Sequence, residues 1–153
     1  MARILIMRGI PGAGKTTWVM KNHPHARVCS ADSFFIDENG EYRFDGSLLS
    51  QAHASCLREF TDTVRDLDAG DESAVVIVDN TAVRAWEISP YYNLASAYGH
   101  DVRIVHIHCD IDTAHSRNVH GVPRERIEAM EMSLREEELP PFWKLETVPA
   151  AED

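Results

Sequence analysis

Cysteine is scarce in this chain: Cys29, Cys56 and Cys109 are the only three, and no two stand at a C-x-x-C spacing. That argues against a disulfide framework or a zinc knuckle and leaves buried thiols as the expectation. Long apolar runs are absent, and the N-terminus has no signal-like character because a strand-like run begins almost at Met1. A cytoplasmic protein with no membrane partner is therefore expected. Basic charge is short as well, with 15 Lys and Arg against 25 Asp and Glu and a formal net charge of −10. Such a balance excludes passive, sequence-independent binding of duplex nucleic acid but not the gripping of a single end. Much of the acid stands in 62–72 and 125–138, which read as solvated helix faces.

What is present is a length of 153 residues with 44% hydrophobic side chains, enough for one domain over 1–153 to bury a core without staples. Apolar, β-branched runs at 4–7, 26–29, 75–78 and 102–107 alternate with longer helical patterns, the βαβ rhythm of a parallel sheet. Leu49, Ala52, Cys56, Phe60, Val64 and Leu67 step by three or four residues along one helix face, which Gly70 is expected to end. Further helices are expected over 87–98 before Gly99, over 112–118 with Asp112 as N-cap, and from Pro123 until Pro140-Pro141, with Ile127, Met130 and Leu134 facing inward. Asn39-Gly40, set between Phe34-Phe35 and Tyr42 to Phe44, predicts a small hairpin flap after the second strand. The tail after Trp143 reads as an edge strand over 145–148 or as loose chain. The fold class is α/β: a three-layer αβα sandwich around a parallel sheet of four to five strands.

The chemistry centres on G-I-P-G-A-G-K-T, Gly9 to Thr16, directly after the first apolar run. This is a P-loop: glycines let successive backbone N–H groups turn onto a phosphate, Lys15 adds a point charge and the Thr16 hydroxyl can hold magnesium. The nucleotide-binding candidates are Gly12, Ala13, Gly14, Lys15, Thr16 and Thr17, with ATP or GTP and Mg2+ as the implied cofactors. Asp79 closes the run Val75-Val76-Ile77-Val78 in the Walker B arrangement, placing a carboxylate beside Thr16 for the metal. Asp32 follows the second strand and faces the same crevice, where it can take a proton from an acceptor hydroxyl; a turn-forming Asx role is the alternative. Arg117 stands before the hinge-like His120-Gly121-Val122-Pro123, so a helical lid around 112–123 could bring it onto the phosphates. Phe34, Phe35 and Arg84 are the substrate-binding candidates. His106 and His108 alternate on one strand and read as hydrogen-bonded imidazoles on one sheet face rather than as metal ligands.

Four segments in this order, G-I-P-G-A-G-K-T-T-W, S-A-D-S-F, V-D-N-T and S-R-N, resemble the kinase domain of phage-type polynucleotide kinases and their P-loop relatives, over residues 3–139. The resemblance implies magnesium-dependent transfer of the ATP γ-phosphate to a hydroxyl, usually the 5′-hydroxyl of a nucleic acid, with Asp32 as general base, Lys15 and Thr16 at the phosphate and metal positions, and Arg117 as the lid arginine. A nucleic-acid substrate is the expected partner, and no protein partner is legible. The chain departs from the pattern where Phe34-Phe35-Ile36 replaces a phosphate-binding arginine, where Ala82 replaces the final asparagine of D-N-T-N, and in carrying no phosphatase domain. Kinases of a hydroxymethyl pyrimidine in DNA, kinases of a nucleoside, sugar or antibiotic, and a non-catalytic nucleotide-binding module are the alternatives.

Overall fold

Buried at five of its six positions, β1 (Arg3–Arg8) has the pattern of a central parallel strand. In the computed structural model, which describes residues 1–68 and 70–151, β1 is followed by α1 (Lys15–Asn22), β2 (Arg27–Cys29), α2 (Leu49–Asp66), β3 (Val75–Asp79), α3 (Ala85–Ala97), β4 (Asp101–His108), α4 (Ile111–Arg117), α5 (Arg124–Glu136) and β5 (Leu145–Pro149). Residue 69 and the last two positions of the expected 1–153 domain lie outside the described residues. The sheet order is β2-β3-β1-β4-β5, parallel at every pairing, so the tail supplies the fifth strand.

Side-chain alternation along β1 divides the core into two layers. Ile4 and Ile6 pack with Phe60 of α2 and Ile88 of α3 on one face. Leu5 and Met7 pack with Val19 of α1, Ala114 of α4 and Ile127 of α5 on the other. The connections after β1 and β3 therefore leave toward opposite faces, and a crevice opens at the carboxyl ends of these adjacent strands, the usual ligand position in such sheets. Phe60 is completely buried, and its truncation to Ala would cost about 3–5 kcal/mol.

Several boundaries differ from the sequence expectation for local reasons. α2 stops at Asp66, before Gly70: Leu67 turns extended at φ −63°, ψ 135° and packs onto the core, and Gly70 is not left-handed. Asp110, not Asp112, caps α4, its carboxylate accepting from the Thr113 N–H at 2.9 Å. α3 begins at Ala85, where the Arg84 N–H donates to Glu87 at 2.7 Å. Gly99 ends it as expected: at φ 84° it donates to Ser96 O while the His100 N–H donates to Ala95 O, both bonds of a Schellman motif. Pro123 precedes α5 as its N-cap, and α5 ends at Glu136, ahead of Pro140-Pro141. The flap is a minimal hairpin with one bridge, Ile36 to Tyr42; Gly40 takes φ 79°, and Asp37 accepts from the N–H groups of Asn39 and Glu41. Among the described residues, no helix is long and apolar enough to cross a membrane. All three cysteines are buried free thiols.

Candidate functional site

The loop between β1 and α1 is held by contacts that tolerate no side chain. Gly12 lies at φ 84°, and a Cβ there would stand 1.9 Å from Ala114 O. The α4 backbone is thus seated against the P-loop, and only glycine allows the approach. The Gly9 N–H donates to Thr81 O at 3.0 Å, tying the loop to the chain leaving β3. Gly14, at φ 93°, caps α1 without a side-chain hydrogen bond, and no acid stands in the first turn. The first-turn N–H groups of Lys15, Thr16 and Thr17 are therefore left for an anion, at the positive end of the helix dipole. Ala13 differs from expectation: it is fully buried and its N–H already donates to Ile10 O at 3.1 Å, closing the turn.

Lys15 folds back over the loop, its Nζ donating to Gly9 O at 2.9 Å and Ile10 O at 3.0 Å. Pairing of β1 with β3 aligns Met7 with Asp79. The Thr16 hydroxyl then donates to Asp79 Oδ2 at 2.8 Å. Burial pushes the Asp79 carboxyl up, against the opposing pull of the Thr16 hydroxyl and Lys15, while the Asp32 charge adds to the rise. Burial pushes the Lys15 ammonium down, against Asp79 and Asp32. Desolvated charges of both signs, with oxygen donors side by side, suit a triphosphate carrying a hard cation. Among the described residues no group of three or more His, Cys, Asp or Glu side chains gathers. An ion here would take Thr16 and Asp79 with ligand oxygens completing its shell, the way Mg2+ is usually held.

Across the crevice, Asp32 sits in a 3-10 turn (Ala31–Phe35) directly after β2. Two polar contacts fix that turn: Ser30 Oγ accepts from the Asp32 N–H at 3.2 Å, and Asn80 Oδ1 accepts from the Ala31 N–H at 2.9 Å. The Asp32 carboxylate is 55% exposed. The Tyr42 hydroxyl donates to its Oδ1 at 3.4 Å, and His120 Nε2 stands 3.7 Å from its Oδ2. Its charge acts on Lys15 and Asp79, so the three groups share one electrostatic site.

The remaining candidates separate. Phe34 is partly exposed, but Phe35, only 5% exposed, belongs to the core, ringed by Phe34, Tyr42 and Phe44. Arg84 turns to Glu137 at 3.3 Å and Ser133 at 3.5 Å, joining the start of α3 to α5 rather than facing the crevice. Arg117 is half-buried at the last position of α4, one turn after the Ala114 that touches the P-loop. His106 is half-buried and His108 exposed. Burial, with help from Arg8, pushes the His106 imidazole down to about 4.

Sequence reasoning gave no role to Asn80, Arg8 or His120 in this arrangement, and read Tyr42, with Phe34, Phe35 and Phe44, only as a ring for base stacking or flap packing. Asn80 was visible in V-D-N-T, and Arg8 as a charge closing an apolar strand. Arg8 is 3% exposed and donates to Ala82 O at 2.9 Å and Val83 O at 2.6 Å, pinning the loop after β3 to the end of β1. Ala82 takes φ 51°, a left-handed conformation that asparagine adopts more readily than alanine.

A family model described as an AAA domain matches residues 4–137. Human NEDD4-binding protein 2 is 29% identical over 138 residues, covering 83% of this chain; the chain spans 7% of that relative's length. Among solved structures, the Pnkp1/Rnl/Hen1 RNA repair complex contains a chain that superposes with a TM-score of 0.66 at 14% identity, over 88% of this chain and 44% of that one. A gluconokinase from Sinorhizobium meliloti 1021 superposes with a TM-score of 0.60 at 14% identity, over 97% of this chain and 83% of the other.

Proposed function

Because the chain belongs to the AAA domain family and has the fold of the P-loop kinases, we propose that it transfers the γ-phosphate of ATP to a hydroxyl of a nucleic acid, as a polynucleotide 5′-hydroxyl kinase. The observation that carries this reading is the placement of Asp32 opposite the Lys15, Thr16 and Asp79 cluster, with its carboxylate exposed while Lys15 and Asp79 are desolvated. In-line transfer needs the donor phosphates held and neutralised and the acceptor oxygen stripped of its proton, and these two groups of residues divide that labour.

In this mechanism the first-turn N–H groups of α1 and the Lys15 ammonium bind the β and γ phosphates. Lys15 gives up its carbonyl partners Gly9 and Ile10 to do so. Thr16 and Asp79 would hold Mg2+, which would neutralise charge on the phosphates. Asp32 accepts the acceptor proton. The lid, 112–123, brings Arg117 onto the transferred group and excludes water, favouring transfer over hydrolysis. The resemblance to a chain of an RNA repair complex and the exposed rings of Phe34 and Phe44 favour a nucleic-acid acceptor. A single kinase domain in a reducing compartment, the cytoplasm, suits the three free thiols.

A small-molecule acceptor is the second reading, favoured by the net charge of −10 and by the likeness to a gluconokinase. Both are tested by offering γ-labelled ATP and Mg2+ with 5′-hydroxyl DNA and RNA, hydroxymethylated DNA, nucleosides and sugars. Label at 5′ ends alone is the expected result. Label on a sugar or nucleoside alone assigns the small-molecule reading, label on hydroxymethylated bases moves the acceptor inside the strand, and absence of any transfer leaves only nucleotide binding.

A further inference from the structure

We infer that Tyr42 of the flap and His120 of the segment after α4 form a clasp across Asp32 that closes the acceptor pocket beside the exposed rings on which a flat ring of the substrate stacks. The inference rests on the reading of Asp32 as the base for the acceptor hydroxyl.

Each oxygen of the Asp32 carboxylate faces one member of the clasp: Oδ1 the Tyr42 hydroxyl at 3.4 Å and Oδ2 the His120 imidazole at 3.7 Å. The two members also meet each other, with ring centroids 4.4 Å apart and planes inclined by 35°. Phe44 lies on the Tyr42 ring from the flap side, at 6.5 Å and 17°. The flap and a segment about eighty residues beyond it thus converge on one carboxylate. The polar distances are long for hydrogen bonds, as expected of groups that a hydroxyl can enter between and tighten. Burial, and after it the Asp32 charge, push the Tyr42 phenol up to about 12.

The clasp connects the two substrates physically. α4 presents Ala114 to Gly12 of the P-loop and ends at Arg117, three residues before His120. The chain that carries His120 to Tyr42 thus starts from a helix seated on the P-loop. Beside the clasp, Phe34 and Phe44 are 39% and 54% exposed, and aromatic faces of this kind take a nucleobase by stacking. The recognised acceptor is then a nucleoside end whose base stacks on the flap while its hydroxyl reaches Asp32.

The test uses the full chain, with ATP, Mg2+ and a 5′-hydroxyl oligonucleotide as probes. Wild-type protein should give a nuclear Overhauser contact between the Tyr42 and His120 rings. Tyr42→Ala should remove the ring contact and raise the acceptor KM about tenfold, leaving the KM for ATP within about twofold. Tyr42→Phe keeps the stack and loses the hydroxyl, so it should retain the ring contact and the acceptor KM and lower kcat about tenfold. Absence of the ring contact in the wild type overturns the clasp, as do equal rises in both KM values for Tyr42→Ala. If the wild type labels no oligonucleotide, the acceptor assignment falls, and the ring contact in wild type and Tyr42→Phe decides the clasp alone.

Discussion

Around Gly12 the backbone of α4 approaches so closely that a methyl group would stand 1.9 Å from a carbonyl oxygen, whereas the Asp32 carboxylate meets only side-chain tips at 3.4 and 3.7 Å. On the proposed reading, the donor half is a backbone loop seated on α4, with Lys15 and Asp79 desolvated and Thr16 exposed; the acceptor half is half-exposed and built from side chains on a turn, a flap and a loop. Backbone geometry suits a ligand whose shape never changes, the triphosphate, because N–H groups fixed before binding cost no reorganisation. Adjustable side chains on loops suit an acceptor that must enter, be recognised and leave. One fold can then keep its donor machinery while its acceptor varies.

The largest expected effect separates the halves cleanly. Asp32→Asn keeps the shape of the acceptor side but removes the proposed base, so transfer should fall by about 10²–10⁴-fold, while calorimetric titration with ATP should return an unchanged affinity. Equal transfer rates in variant and wild type would remove Asp32 from the mechanism.

The donor half should break by the opposite route. Gly12→Ala forces a Cβ onto Ala114 O and a side chain into φ 84°, so α4 must retreat from the P-loop. A strained backbone and a forced contact together cost about 2–3 kcal/mol, read as a fall of about 100-fold in ATP affinity and a lower unfolding midpoint. Retention of wild-type affinity would mean that α4 moves aside freely.

The same contrast explains what could be read from the sequence. The donor half is contiguous: the glycines, Lys15 and Thr16 act through a local loop, and Asp79 is found by following an apolar run to its end. Right-handed crossovers place the Walker A and Walker B strands side by side, and the β1 to β3 pairing that joins Thr16 to Asp79 agrees; the order of the remaining strands was not legible. The acceptor half is assembled from distant segments, and there local reasoning misassigned residues. Phe34 and Phe35 are chemically alike, but the 3-10 turn sends one outward and the other into the core. Arg84 has carboxylate and hydroxyl partners about fifty residues away on α5, which no local pattern announces. His120 was seen only as part of a hinge, because its partners Tyr42 and Asp32 lie on the far side of the sheet order in sequence terms.

Asn80 stands on the seam between the halves, next to Asp79 in β3 yet bonded to the turn that carries Asp32. Its Oδ1 accepts from the Ala31 N–H, and its Nδ2 reaches Cys56 Sγ at 3.6 Å. Asn80→Ala leaves that N–H without its acceptor, at a cost of about 2 kcal/mol in urea unfolding. The turn should loosen while the P-loop stays intact, so transfer should drop about tenfold at unchanged ATP affinity. A matching loss of ATP affinity would show that the two halves are one mechanical unit.

The smallest effect probes how dry the donor side is behind the loop. His106 pairs in register with Arg8 on the neighbouring strand. Burial first, then the Arg8 charge, hold its imidazole at about 4 against an ordinary 6.5. Between these values the unfolded chain binds the proton and the folded chain does not, so stability is lost as pH falls from 6.5 toward 4 and is fully regained above 6.5. With the partly exposed ring screened by solvent, the loss amounts to about 1 kcal/mol. His106→Gln should remove that part of the acid sensitivity, measured as a smaller stability difference between neutral and mildly acid pH. An unchanged difference would mean that solvent reaches the ring, and that the dryness of the donor half ends at Arg8, which donates to carbonyls on the loop after β3.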